Sequence, residues 1–167
     1  MSYAIILIPV LIVATIIDLK HWRIPNWLTV SAAFVGLVHS YIAGDVSSLL
    51  NHTTGMIAGV LIFFILYVLG AYGAGDAKLV GAIGAIMGLE FILYACVLII
   101  FLGGITSFLL LLKRKGFMSL RIMMDFLKAI FTRQLGKFHQ NIIENKPLTY
   151  PFSIIISLGS VITLWVI

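Results

Sequence analysis

Of the chain's 167 residues, 62% are hydrophobic and only 10% charged, against about 25% charged in an ordinary soluble domain, so a water-soluble globular fold is excluded and the bilayer must serve as solvent. A single cysteine, Cys96, excludes an intramolecular disulfide and a four-cysteine zinc module. The net charge of +5 comes from basic residues gathered between apolar runs, which is a signature of membrane topology rather than of nucleic-acid binding.

A spanning helix needs about 20 mostly apolar residues. The first run covers residues 3–17. Neither a basic segment before it nor a small-residue cleavage site after it marks a removable signal, so it reads as a retained helix. It ends in Asp18-Leu19-Lys20-His21-Trp22-Arg23. After Pro25-Asn26, with Asn26 expected as N-cap, a second run covers 27–43. A polar link holding Gly44, Asp45, Ser47, Ser48, Asn51 and His52 leads to a third run, 55–72, closed by Gly73-Ala74-Gly75-Asp76. The next apolar stretch covers residues 77–112 and would make one helix of about 54 Å, too long for a hydrocarbon core of about 30 Å. A break is therefore expected at Gly88-Leu89-Glu90, giving a short fourth helix and a longer fifth. In the fourth, Ala77, Gly81, Gly84, Ala85 and Gly88 suit close helix contact. A basic segment over 113–150 precedes a last run over 152–167. The expected architecture is an all-α integral membrane protein of about six transmembrane helices, with residues 1–167 forming a single transmembrane domain.

Charge placement agrees with six spans. Lysine and arginine collect on the cytoplasmic side of short loops. With six alternating helices, all 11 basic residues fall on one side, while the second and fourth loops carry only Asp45 and Glu90. Both termini are then expected outside. Within the basic segment, Leu120, Met123, Met124, Leu127, Ile130 and Phe131 recur near helical spacing with basic residues between them. This predicts an amphipathic helix in the cytoplasmic interface, its basic side toward anionic headgroups. It serves either as a membrane anchor or as a platform for a substrate.

Few residues are available for chemistry. His21, His39, His52 and His139 are scattered, pair neither with one another nor with Cys96 at metal-ligand spacing, and are expected as interfacial or loop residues. Cys96 is expected as a small apolar filler. Neither a metal nor another cofactor is expected. Asp45, Glu90, Asp125 and Glu144 fall where solvation explains them. Asp18 and Asp76 each sit directly against apolar sequence at the same end of a span, where an ionisable group points to function. Two carboxylates in one restricted site share a proton, supplying a base to activate water and an acid for a leaving amine. The competing explanation pairs Asp18 with Lys20 or Arg23 and Asp76 with Lys78. Gly73 and Gly75 before Asp76 permit a tight, close-lying turn, and irregular backbone at that depth survives only beside protein or a water-filled cavity.

Asp18 with Lys20 and Ile24-Pro25-Asn26, Gly73-Ala74-Gly75-Asp76-Ala77-Lys78-Leu79, and Tyr150-Pro151-Phe152 followed by apolar residues and Gly159 together resemble the motifs of the type IV prepilin peptidases. The resemblance implies an intramembrane-type aspartyl endopeptidase that cleaves the short basic leader of prepilin-like or preflagellin-like proteins at the cytoplasmic membrane face. It places Asp18 and Asp76 as the catalytic pair, with Pro25, Asn26, Gly73, Gly75 and Lys78 in supporting positions. It also implies pilus or flagellar assembly machinery as a partner. Larger members of the family carry paired cysteines and N-methylate the new terminus. This sequence has no cysteine pair, and it is more similar to the small peptidase-only members that serve tight-adherence pili or to archaeal preflagellin peptidases. Presenilin-type proteases share the Gly-x-Gly-Asp label, but their Pro-Ala-Leu motif is absent here. A non-enzymatic assembly component, or part of an ion or proton path, is the alternative from a different functional class.

Overall fold

A computed structural model describes residues 2–69, 72–109 and 151–167. Among these it contains six helices: α1 Ser2–His21, α2 Asn26–Ala43, α3 Val46–Val68, α4 Ala74–Met87, α5 Leu89–Leu109 and α6 Ser153–Val166. The expected interfacial helix in the basic segment lies outside the described residues. The chain divides into two compact units, Met1–Leu102 with Pro151–Ile167, and Gly103–Tyr150. The first holds α1 to α4, most of α5, and α6.

Polarity in the first unit runs opposite to that of a soluble protein. Ile5, Phe34, Phe64, Val97 and Trp165 are exposed, while Ser40, His52, Ser153, Ser160 and Thr163 are buried. With no water to satisfy them, buried hydroxyls turn back onto their own helices: Ser40 Oγ donates to the Leu37 carbonyl, Ser160 Oγ to Ile156, and Thr163 Oγ1 to Gly159, each at 2.8 Å. By length and composition α1, α3 and α5 can each cross a membrane. The other three are shorter or less apolar.

α4 is enclosed. From Asp76 to Ile86 every residue except Lys78 is buried, and α3 and α2 are its most extensive neighbours. Its 14 residues rise about 21 Å. The small residues noted in the sequence are what allow this enclosure. A methyl carbon added to Gly36 of α2 would stand 2.8 Å from the Ala85 carbonyl oxygen. One added to Gly84 would run into the Gly55 backbone of α3. The break between α4 and α5 falls where the sequence predicts it: Gly88 adopts φ 87°, a conformation side chains disfavour.

Two boundaries differ from expectation. α3 begins at Val46, so most of the supposed polar link is helical and His52 is buried rather than in a loop. The reason is that its polar groups are used between helices: His52 Nδ1 bonds the Ala85 carbonyl at 3.0 Å, and the Leu89 N–H donates to Asn51 Oδ1 at 3.4 Å. At the start of α2 the cap position belongs to Pro25, with no side-chain cap bond. The Asn26 amide oxygen instead accepts from Lys78 Nζ at 2.8 Å.

Candidate active site

Asp18 lies on the inward stripe of α1. Leu7, Leu11, Ala14 and Asp18 are all buried and recur every three or four residues, one face of a helix. Leu19, Lys20 and His21 are exposed. α1 stops just beyond, where Trp22 takes a left-handed backbone of φ 54° and its N–H closes on the Asp18 carbonyl at 2.8 Å. The position that would carry the next core residue carries a carboxylate instead, 7% exposed.

Asp76 stands in the first turn of α4 and is 8% exposed. Its Oδ2 accepts the Gly73 N–H at 3.0 Å, so the carboxylate folds back over the start of its own helix. Gly73 is extended, at φ −83° and ψ 154°, which any residue can adopt. It supplies room: an added methyl carbon would be 3.2 Å from Asp76 Oδ2. Gly75 lies inside α4, and a methyl carbon there would meet Ile24 Cβ at an ordinary 3.4 Å.

The two carboxylates are held in the same way. Asp18 Oδ2 accepts the backbone N–H of Ser153, the first residue of α6, at 3.3 Å. A helix start offers N–H groups with no partner within the helix and the positive end of its dipole. α6 provides this for Asp18 and α4 for Asp76. Both carboxylates belong to the same compact unit. Among the described residues neither aspartate forms an ion pair, and Lys78 reaches Asn26 instead. No third metal-ligating side chain joins them among the described residues.

Two residues not singled out in the sequence complete the site. The Tyr72 ring packs edge-on between Phe63, at 4.9 Å, and Phe152, at 4.6 Å. Burial above all, then the Asp76 charge, pushes its phenol up to about 12, so it stays protonated at neutral pH. Tyr72 directly precedes Gly73, and Phe152 directly precedes Ser153. The stacked pair therefore ties together the two segments whose N–H groups hold the two carboxylates. The sequence signal for Ser153 was its place after Pro151-Phe152. Nothing local in the sequence marks Tyr72.

Residues 5–108 match the model of the type IV leader peptidase family. Over 92 residues the chain is 37% identical to the prepilin leader peptidase/N-methyltransferase of Pectobacterium carotovorum subsp. carotovorum, covering 51% of this chain and 33% of that protein. Over 81 residues it is 32% identical to the preflagellin peptidase of Methanocaldococcus jannaschii, covering 46% of this chain and 34% of that protein. The chain thus spans about a third of the length of the curated relatives it matches. No solved structure matches. The family match runs from α1 to the end of α5 and contains both aspartates and the glycine pair before the second; this membrane protein belongs to the type IV leader peptidase family.

Proposed function

We propose that this chain is a membrane-embedded aspartyl endopeptidase that cleaves the short basic leader of prepilin-like or preflagellin-like proteins. Asp18 and Asp76 are its catalytic pair. One observation carries the reading: two buried carboxylates in one compact unit, each held by the N–H of a helix start and neither neutralised by a cation among the described residues. Two such carboxylates hold one proton between them. The ionised member takes a proton from a water, the water oxygen attacks the scissile carbonyl, and the protonated member donates to the carbonyl oxygen. The proton taken from the water then passes to the leaving amine. The pair titrates as a unit, so acid and base are assigned to the dyad and not to one residue.

Gly73 admits the Asp76 carboxylate, and Gly75 lies against Ile24 at the start of α4. Asn26 and Lys78 join the start of α2 to α4, and Pro25 sets the cap of α2. The chain acts as one transmembrane peptidase domain with six spans in the cytoplasmic membrane. Its basic loops and active site lie on the cytoplasmic side and both termini outside, with the products passing to pilus or flagellar assembly. The proposed activity is peptidase without methyl transfer.

The test is co-expression with a prepilin-like substrate, with cleavage read as a mobility shift. Asp18→Asn and Asp76→Asn should each abolish cleavage while leaving membrane insertion intact. The double variant should be hardly worse, because residues acting as a unit are not additive. Asp45→Asn, outside the site, should cleave normally. Near-normal cleavage by either single variant would rule out the dyad and favour an assembly or transport role.

A further inference from the structure

We infer that the side chain of Ser153 is a third catalytic group, its hydroxyl binding the attacking water beside Asp18. This rests on the peptidase reading above. The described residues hold five buried hydroxyls: Thr29, Ser40, Ser153, Ser160 and Thr163. Four donate to a carbonyl of their own helix, Thr29 to Asn26 at 3.1 Å and the others to Leu37, Ile156 and Gly159 at 2.8 Å. Ser153 is the exception. It is 0% exposed, yet its Oγ meets no hydrogen-bond partner among the described residues.

Its place in the fold explains why the hydroxyl is free. Ser153 opens α6, so no preceding turn of that helix offers it a carbonyl. The cap position is Phe152, and no side chain caps the helix. The Ser153 backbone N–H is already committed to Asp18 Oδ2 at 3.3 Å. An enclosed hydroxyl is thus fixed next to a catalytic carboxylate and bonded to neither that carboxylate nor its own helix. Burying an unpaired hydroxyl is unfavourable, and such a group calls for a specific reason. The cleavage reaction supplies one. The attacking water gives one hydrogen to the ionised carboxylate, and Ser153 Oγ accepts a bond from the other. The water's lone pair is left aimed at the scissile carbonyl. No bond to Ser153 forms or breaks, and the transferred proton stays with the dyad until it leaves with the amine.

The experiment uses the full-length chain in detergent with a prepilin-like substrate, measuring kcat, KM and the thermal midpoint of Ser153→Ala and Ser153→Gly. Both retain the backbone N–H to Asp18; alanine removes only the hydroxyl, and glycine removes the whole side chain. Each should lower kcat by about 10-fold or more, still less than the roughly 10²–10³ lost with a full oxyanion donor. KM should be unchanged. The alanine variant should match or exceed the parent's thermal midpoint, since an unpaired buried polar group has been removed. An unchanged kcat in either variant overturns the inference. So does a kcat loss accompanied by a lowered midpoint in Ser153→Ala, which would make the hydroxyl structural. Asp18→Asn and Asp76→Asn run alongside. If they are inactive while Ser153→Ala is fully active, only this inference fails; if they cleave, the dyad itself fails.

Discussion

Tyr72 shows how a single side chain can serve the site without doing chemistry. Its ring bridges Phe63 and Phe152, and its phenol is neutral at working pH. The contact that matters is therefore aromatic, and such pairs are worth about 0.5–1.5 kcal/mol beyond their area. Tyr72→Phe should cleave at close to the parental rate across neutral pH. Tyr72→Ala should lower kcat about 10-fold or more, because small misplacements of reacting groups are costly. Steady-state cleavage of a prepilin-like peptide distinguishes the two. The phenol also leaves a mark on stability. Its folded value of about 12 lies above the ordinary 10.0, so the unfolded chain loses the proton first. The stabilisation is complete below about pH 10 and is lost as pH rises toward about 12. Unfolding followed through that window should show a shallower alkaline decline for Tyr72→Phe.

At the scale of elements, the α3–α4 contact decides where Asp76 stands. The backbones approach so closely at Gly55, Gly84 and Gly88 that a methyl carbon on Gly55 would lie 2.6 Å from the Gly88 carbonyl carbon and 2.8 Å from the Gly84 carbonyl oxygen. Both obstacles are backbone and cannot swing aside. Gly55→Ala should therefore destabilise the fold by about 1–3 kcal/mol, the usual range for overpacking. Among the described residues, Gly104 of α5 has nothing within 4 Å of the same position. Gly104→Ala should be neutral or stabilising by up to about 1 kcal/mol, from helix propensity alone. Thermal unfolding of the two variants in one detergent checks the contrast. If Gly55→Ala is as stable as the parent, close backbone packing is not what seats α4.

At the scale of the whole molecule, contacts already group the helix ends into two sets. Asp18, Ile24, Asn26, Asp76, Lys78 and Ser153 meet at one end, and Tyr3, His39, His52 and Ala85 at the other. In the proposed topology, which rests on charge bias, the first end faces the cytoplasm. Cys96 is buried and should remain unlabelled in intact cells. A cysteine introduced at Ser47 should react with an impermeant thiol reagent added outside, and one at Arg23 should not; the reverse pattern would invert the topology. Because the proposed water is activated by carboxylate alone, cleavage by purified protein should persist in a strong chelator. Activity lost there and restored by zinc would overturn that mechanism.

The sequence alone determined what depends on local pattern. Apolar run lengths dictated helices in a bilayer, and the excess length of residues 77–112 required a break, which Gly88 provides. Asp18 and Asp76 stood out because a carboxylate against apolar sequence is expensive wherever the chain folds. Tertiary structure decided what depends on partners distant in the chain. Asn51 and His52 read as loop residues, since polarity alone cannot distinguish water from a neighbouring helix; α4 and the start of α5 supply their hydrogen bonds. Asn26 read as a cap until Lys78, 52 residues away, claimed its side chain. The N–H holding Asp18 comes from Ser153, 135 residues further along the chain. A pattern with a period of three or four residues carries no information at that separation, so only the packing of α6 against α1 could bring those two residues together.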